Sequence, residues 1–281
     1  MATGAKVDLY NNAYAHDADR LYREIRIATY GEDFGQTSWA TTEESHEIPR
    51  RLHVTPQSRV LEVGCGSGRY ALYVAGSLGC QVLGLDINAA GIANCKQLAD
   101  QQHLSAKVQF ECCDVSAGLP AESNSFDAVF STDVLCHIPN RAALLDEIHR
   151  VLKPGGRLLF SDALIVGGTI SYDEIAARSS IGYYIFSPPG ENERLIRHAG
   201  FRVLKVEDTT SNACDIAQRW REARESRKKE LIDIEGEANY AGLQRFLACV
   251  QLLTGERRLL RRVYVARKME DRAARRKLAE S

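Results

Sequence analysis

The sequence contains no apolar run long enough to cross a bilayer. A spanning helix needs roughly 20 apolar residues, and the longest runs here, around Val63 and over residues 157–162, are far shorter. Strong charge of either sign is missing too: 36 Lys and Arg against 37 Asp and Glu leave a net charge of −1. Nothing in that balance draws the whole chain to nucleic acid or to an anionic membrane. Met1-Ala2-Thr3-Gly4-Ala5-Lys6 leads into a polar, aromatic segment without an apolar signal core, so a cytoplasmic location is expected. No internal repeat or low-complexity tract interrupts the chain. Cysteine is not scarce, at eight residues, but no CxxC pair occurs and no two sit at zinc-ligand spacing with a histidine. No metal site is expected. The eight read as thiols of a reducing compartment, several of them small buried hydrophobes in strand-like contexts. Cys136 is the one that adjoins a candidate active-site loop.

What is present is an ordinary globular composition, 44% hydrophobic and 26% charged over 281 residues. It allows a sizeable core and one domain spanning 1–281. From residue 58 to about 206, short apolar runs alternate with longer helical patterns, the mark of βαβ units. Strands are expected at 59–63, 81–86, 108–112, 126–131, 157–162 and 201–207. Helices are expected from Gly68 to about Leu78, over 89–101 and over 141–152. Lys153-Pro154-Gly155-Gly156 ends the last of these, since proline followed by glycine stops a helix. Residues 58–206 thus form the core, with 7–57 as a helical N-terminal cover and 207–281 as a helical insert and final strand. The charged run 219–230 alternates in sign and suits a solvated helix face. The basic tail after Glu256 is expected to be solvated, although 259–266 mixes apolar residues with arginines and reads as a seventh strand at the sheet edge. Residues 165–194 fall outside the sheet pattern. With 7–57 they are expected to cover the strand C-termini, where open α/β sheets bind ligands.

Glu62-Val63-Gly64-Cys65-Gly66-Ser67-Gly68 follows the first strand and opens a helix. Glycines there let the backbone turn sharply and approach a ligand without Cβ obstruction. A dinucleotide site would use a similar turn. Glu62 argues against that, because a carboxylate at the strand end repels a pyrophosphate and suits an ammonium or sulfonium. Asp86 ends the second strand, 22 residues after Gly64, where a carboxylate can accept from both ribose hydroxyls. The plainer alternative is a turn or N-cap aspartate. Asp114, in Glu111-Cys112-Cys113-Asp114-Val115, ends the third strand and can accept from an adenine amino group while the next amide meets the ring. Three carboxylates at three successive strand ends form a constellation that chance seldom produces.

The series Val60-Leu61-Glu62-Val63-Gly64-Cys65-Gly66-Ser67-Gly68, Asp86, Asp114-Val115, Phe126-Asp127-Ala128-Val129 and Leu152-Lys153-Pro154-Gly155-Gly156 resembles class I S-adenosylmethionine-dependent methyltransferases of the type 11 group. The match covers roughly residues 58–162, with the motifs in order. The resemblance implies an α/β fold with a Rossmann-like seven-stranded sheet, its last strand antiparallel, plus a helical N-terminal lid and inserts. It implies S-adenosyl-L-methionine as cofactor, with Glu62, Gly64 and Gly66 around the methionine part, Asp86 at the ribose, and Asp114 with Val115 at the adenine. Gly68, Ile87, Ser131, Gln36 and Trp39 are counted with that site. Ser131-Thr132-Asp133-Val134-Leu135-Cys136-His137 is similar to the loop after strand four in phosphoethanolamine methyltransferases, where an aspartate and a histidine four residues later line the active site. Asp133 and His137 match those positions. Tyr30-Gly31-Glu32-Asp33-Phe34-Gly35-Gln36-Thr37-Ser38-Trp39 is similar to the lid of those enzymes, and to sarcosine and dimethylglycine methyltransferases, as is Asp17-Ala18-Asp19-Arg20-Leu21-Tyr22. Gln36-Thr37-Ser38-Trp39 does not reproduce the small Ser/Gly pair of the phosphoethanolamine enzymes.

Methyl transfer is an in-line displacement from a sulfonium, so positioning and charge accommodation carry most of the rate. Asp133 is expected to orient an amine acceptor and His137 to accept its proton. Alternatively, Asp133 caps the next helix and His137 packs in the pocket wall. Tyr10, Tyr14, Tyr22, Tyr30, Phe34 and Trp39 enrich the N-terminal segment in aromatics, as expected of a lid that excludes water. Tyr22, at helical spacing from Ile25, reads as a helix anchor. Tyr14, Tyr30, Phe34, Tyr183 and Tyr184 are the candidate acceptor-binding residues. The expected reaction is methylation of a small molecule at an amine nitrogen, with O- or C-methylation of a natural-product intermediate as the alternative. An NAD-dependent oxidoreductase is opposed by Glu62 and by the lack of Tyr-x-x-x-Lys near strand five. A nucleic-acid enzyme would need a basic groove or an Asn/Asp-Pro-Pro-aromatic site, and Ser187-Pro188-Pro189-Gly190 is neither. No nucleic acid or membrane partner is expected, and a homodimer is left open.

Overall fold

The structure, a computed structural model, describes residues 7–269. Three helices open it: α1 (Tyr10–Ala15), α2 (Arg20–Tyr30) and α3 (Thr42–Leu52). Thr41 caps α3 by accepting from the Glu44 amide, and Glu43 and Glu44 complement the positive end of its dipole. Strand and helix then alternate through β1 (Arg59–Val63), α4 (Arg69–Leu78), β2 (Gln81–Asp86), α5 (Ala89–Gln101), β3 (Val108–Cys112), β4 (Phe126–Ser131), α6 (Arg141–Val151) and β5 (Leu152–Val166). After α7 (Tyr172–Arg178) and α8 (Glu191–His198) comes β6 (Phe201–Asp208). The helices α9 (Thr210–Ser226), α10 (Lys228–Glu235) and α11 (Glu237–Gly255) precede β7 (Leu259–Lys268).

The strands form one sheet in the order β3-β2-β1-β4-β5-β7-β6, with β1 to β5 parallel and β7 antiparallel to both its neighbours. The expected seven-stranded arrangement is borne out. β1 is buried from Val60 to Val63, as a strand covered on both faces must be. From β1 the chain winds outward through β2 and β3, then crosses to β4. The order reverses between β1 and β4, which opens a crevice at their C-terminal ends.

Three details differ from expectation. β7 is not at the edge: it lies between β5 and β6, and most of it is buried. Arg261 is therefore buried and paired with Asp133 and Glu44, and Arg262 is half-buried against Glu193, while Arg257 and Arg267 stay exposed, so the basic tail is solvated only in part; residues 270–281, like Met1-Ala2-Thr3-Gly4-Ala5-Lys6, lie outside the described residues. β5 starts at Leu152, opposite Phe126, bulges at the proline-glycine stop, and regains register at Arg157 opposite Ala128. The run 219–230 is only partly solvated. Ala213, Ile216, Ala217 and Trp220, at i, i+3, i+4 and i+7, share one helix face and pack against α2 and α11 in a second apolar core. On the same stripe, Arg224 is buried and pairs with Glu235 at 2.7 Å, where Tyr22 also donates at 2.8 Å. Among the described residues no helix is long and apolar enough to cross a membrane.

Candidate active site

A cavity of about 620 Å³ opens at the C-terminal ends of β1 to β4. The turn after β1 forms its floor. Gly64 has φ +77° and Gly66 φ +54°, and a Cβ at Gly64 would stand 2.3 Å from Val134 Cγ2. A Cβ at Gly66 would stand 3.1 Å from the Tyr14 hydroxyl. Glu62, at the end of β1, is 6% exposed, and its Oε2 has no hydrogen-bond partner. Burial raises its pKa well above the ordinary carboxyl value. Asp86 accepts from the Gly66 amide at 2.8 Å and from the Asn88 amide at 2.9 Å, and burial raises its pKa as well. Ile87 beside it is 69% exposed, an apolar side chain left open at the cavity rim. Asp114 caps the short turn Val115–Ala117, accepting from Ser116 Oγ at 2.6 Å and from its amide at 3.0 Å. Those hydrogen bonds lower its pKa. Glu62, Asp86 and Asp114 thus border one cavity, with Val115 in its wall.

The opposite wall is built differently. Asp133 has φ +57° and its carboxylate is saturated. It accepts from the Trp39 amide at 2.8 Å, from Ser161 Oγ at 2.8 Å, and from Arg261 Nε at 3.0 and 3.2 Å. His137 Nδ1 lies 3.0 Å from the Tyr183 carbonyl, so it carries the proton there. Its Nε2 is then the acceptor for the Tyr10 hydroxyl at 3.1 Å. Burial is the main cause that brings the imidazole pKa down to about 4, leaving the ring neutral at pH 7. Tyr10 is held well above the usual phenol range, again chiefly by burial. Cys136 is buried, donates to the Asp133 carbonyl at 3.3 Å, and has its thiol pKa pushed up by burial.

The cavity brings together most of the residues expected from the sequence. Gln36, Tyr14, Phe34 and Tyr183 join the carboxylates, Gly64, Gly66, Asp133 and His137 in its lining. Five expected residues are not there. Trp39 turns its ring between Trp220 and Phe246, with centroids 6.1 and 6.0 Å away, because the helical insert offers it apolar surface. Tyr30 joins the same core and spends its hydroxyl on the Ser38 carbonyl at 2.8 Å. Tyr184 stands behind His137, stacked on the buried Arg178 guanidinium at 4.4 Å. Ser131 is buried and donates to the Val63 carbonyl at 2.8 Å, tying β4 to β1. Gly68 starts α4, where a Cβ would stand 2.6 Å from Cys95 Sγ; its need is packing, not ligand approach. Tyr10, expected only as a lid aromatic, and Arg261 were not among the catalytic or binding residues expected from the sequence. Tyr10 is one tyrosine among several in the cover, and Arg261 shows only as an arginine inside an otherwise apolar strand.

Comparison with known proteins gives this arrangement a family. Residues 61–160 match the methyltransferase domain. The chain carries a methyltransferase domain. Over 221 residues it is 29% identical to phosphoethanolamine N-methyltransferase 3 of Arabidopsis thaliana, covering 78% of this chain and 44% of that protein. The chain thus spans less than half the length of that relative. It is 28% identical over 200 residues to the O-methyltransferase resE of Aspergillus sclerotiorum, covering 70% of this chain and 72% of the relative. The fold is similar to Haemonchus contortus phosphoethanolamine N-methyltransferase 2, solved with phosphomonomethylethanolamine and S-adenosylhomocysteine. That likeness has a TM-score of 0.77 at 24% identity, over 93% of this chain and 60% of that one. The methyltransferase fold implied by the resemblance of the ordered motifs is borne out. Among the described residues, no group of three or more His, Cys, Asp and Glu could hold a metal ion in this methyltransferase domain.

Proposed function

We propose that this chain is an S-adenosylmethionine-dependent methyltransferase acting on a small molecule, at an amine nitrogen in the first reading. The observation that carries the proposal is the buried, partnerless Oε2 of Glu62, a residue that borders a cavity floored by two positive-φ glycines. A buried carboxylate without a partner is costly, and the α-ammonium of the cofactor's methionine part would satisfy it. Asp86 keeps lone pairs for ribose hydroxyls beyond the two amides it accepts. Ile87 and Val115 offer apolar surface to an adenine, and Asp114 an acceptor. When bound, the cofactor supplies an electrophilic methyl group on a sulfonium. The chain's own residues bind, orient and exclude water.

Asp133 has no free acceptor to collect a proton, so its part is to hold the wall and supply a fixed negative charge. Tyr10 Oη lies 3.1 Å from His137 Nε2, and both residues line the cavity. A proton leaving the acceptor would pass to Tyr10 Oη as Tyr10 gives its own to His137 Nε2. With a pKa of about 4, the imidazole is a poor store for that proton. The site therefore favours an acceptor whose nucleophile arrives deprotonated, with His137 pinning the tyrosine. The amine reading draws on the similarity to N-methyltransferases. O-methylation is the second reading, favoured by the relative that is named an O-methyltransferase. All eight cysteines are unpaired, which suits a reducing, cytoplasmic setting.

Calorimetry with S-adenosylhomocysteine tests the cofactor, and a screen of amines, phenols and carboxylates with methyl-labelled cofactor tests the acceptor. Tight binding to wild type, weakened by Asp86→Asn, is expected. A chain that does not bind S-adenosylhomocysteine would overturn the reading.

A further inference from the structure

The acceptor wall is held by a residue from the opposite end of the chain. Arg261, on β7, is fully buried. Its Nε donates to both oxygens of Asp133, and its Nη1 donates to Glu44 Oε2 at 2.7 Å and Thr209 Oγ1 at 2.8 Å. Asn212 donates to the other oxygen of Glu44. One cation thus serves two carboxylates, and it joins β7, α3 and the start of α9 to the loop after β4. A guanidinium can do this because its planar fork presents donors in several directions, which an ammonium on a flexible stem does not.

Beyond Arg261, the Asp133 carboxylate reaches the lid. It accepts the Trp39 amide, and Trp39 directly follows Gln36, Thr37 and Ser38, which line the cavity. Thr132 and Val134, on either side of Asp133, line it as well. The Asp133 backbone is left-handed, a strained conformation for a non-glycine residue that persists only when its surroundings over-determine it. The donors gathered on its carboxylate supply that restraint. The same carboxylate therefore joins the two loops that shape the cavity, and among the described residues Arg261 is the cation paired with it.

We propose that Arg261 is a positioning residue: acting through the Asp133 carboxylate, it holds the 36–39 loop over the cavity and so sets affinity for the bound nucleoside. The identity of that ligand rests on the methyltransferase reading; the linkage from Arg261 to Trp39 does not. The probe is S-adenosylhomocysteine, titrated into the full chain, together with hydrogen exchange at the Trp39 amide. Arg261→Lys keeps the charge and is expected to weaken binding about tenfold and to speed Trp39 exchange by a similar factor. Asp133→Asn, where asparagine tolerates the left-handed backbone, should do the same. The double variant should be no worse than Asp133→Asn alone, because both changes break one chain of contacts. Wild-type affinity and exchange in Arg261→Lys would refute the proposal, as would losses that multiply in the double variant. If wild type does not bind S-adenosylhomocysteine, the methyltransferase reading falls, and the exchange measurement still decides the linkage. Should Arg261→Lys fail to fold, Glu44→Gln loosens the other anchor of the guanidinium and should speed Trp39 exchange about threefold. Unchanged exchange in that variant sinks the linkage.

Discussion

Glu62 and Asp133 are both buried carboxylates at strand ends facing one cavity, yet their situations are opposite. Glu62 has an oxygen with no partner and a pKa pushed well up by burial. Asp133 is surrounded by donors from Trp39, Ser161 and Arg261. A buried acceptor left unsatisfied in a residue that borders a cavity is open to a ligand. A saturated one is a piece of the wall. In the proposed reading the Glu62 side of the cavity receives the cation of the cofactor, while the Asp133 side is already assembled and needs only to be kept in place.

The comparison can be broken most severely at Asp133. Asp133→Ala leaves Arg261 buried without one of its carboxylates, and breaking a buried pair costs about 3–5 kcal/mol. Urea denaturation is expected to show a loss of that size; a loss below about 1 kcal/mol would mean that the cluster is not a structural unit. The next effect depends on pH. His137 is neutral in the fold with a pKa of about 4, against about 6.5 in the unfolded chain. The unfolded chain binds this proton more tightly, so the contribution is intact above about pH 6.5 and is lost as pH falls toward 4, by roughly 3 kcal/mol. Denaturation curves at pH 7 and pH 4.5 should fall less steeply for His137→Gln than for wild type. Equal slopes would show that the imidazole is not held neutral.

Glu62→Gln tests the other side. It should weaken S-adenosylhomocysteine about tenfold or more, since a charge-assisted contact becomes a neutral one. Without ligand, Glu62 has a raised pKa in the fold, so its contribution falls as pH rises above the ordinary carboxyl range. The same variant should therefore raise the melting temperature at pH 8. A variant that binds normally, or that melts lower, contradicts the picture of an acceptor kept open for a ligand. The smallest effect is expected at Tyr30. Tyr30→Phe removes its hydrogen bond to the Ser38 carbonyl and should cost about 1 kcal/mol. Its S-adenosylhomocysteine affinity should stay within about twofold, and a much larger loss would return Tyr30 to the ligand site.

How far the sequence could be read follows the same division. Glu62, Gly64, Gly66, Asp86 and Asp114 lie on one local pattern, strand end followed by turn, and a parallel sheet sends every such end to the same side. Their meeting was legible. Trp39 and Tyr30 look like any lid aromatics until α9 and α11 place Trp220 and Phe246 beside them. Arg261 is 128 residues from Asp133, and no local spacing can announce such a partner. The position of β7 had the same difficulty, since an arginine-bearing strand reads as an edge unless its cations find buried carboxylates.

The sequence by itself determined the βαβ order, the glycine turn and the carboxylates that end β1, β2 and follow β3. Those depend on periodicity, φ preference and the direction of parallel strands, all properties of short segments. Tertiary structure alone decided which carboxylate was left unsatisfied and which was saturated. That outcome depends on how many donors the distant segments bring to each oxygen. At Asp133 they bring a guanidinium, a hydroxyl and an amide, and at Glu62 Oε2 they bring none.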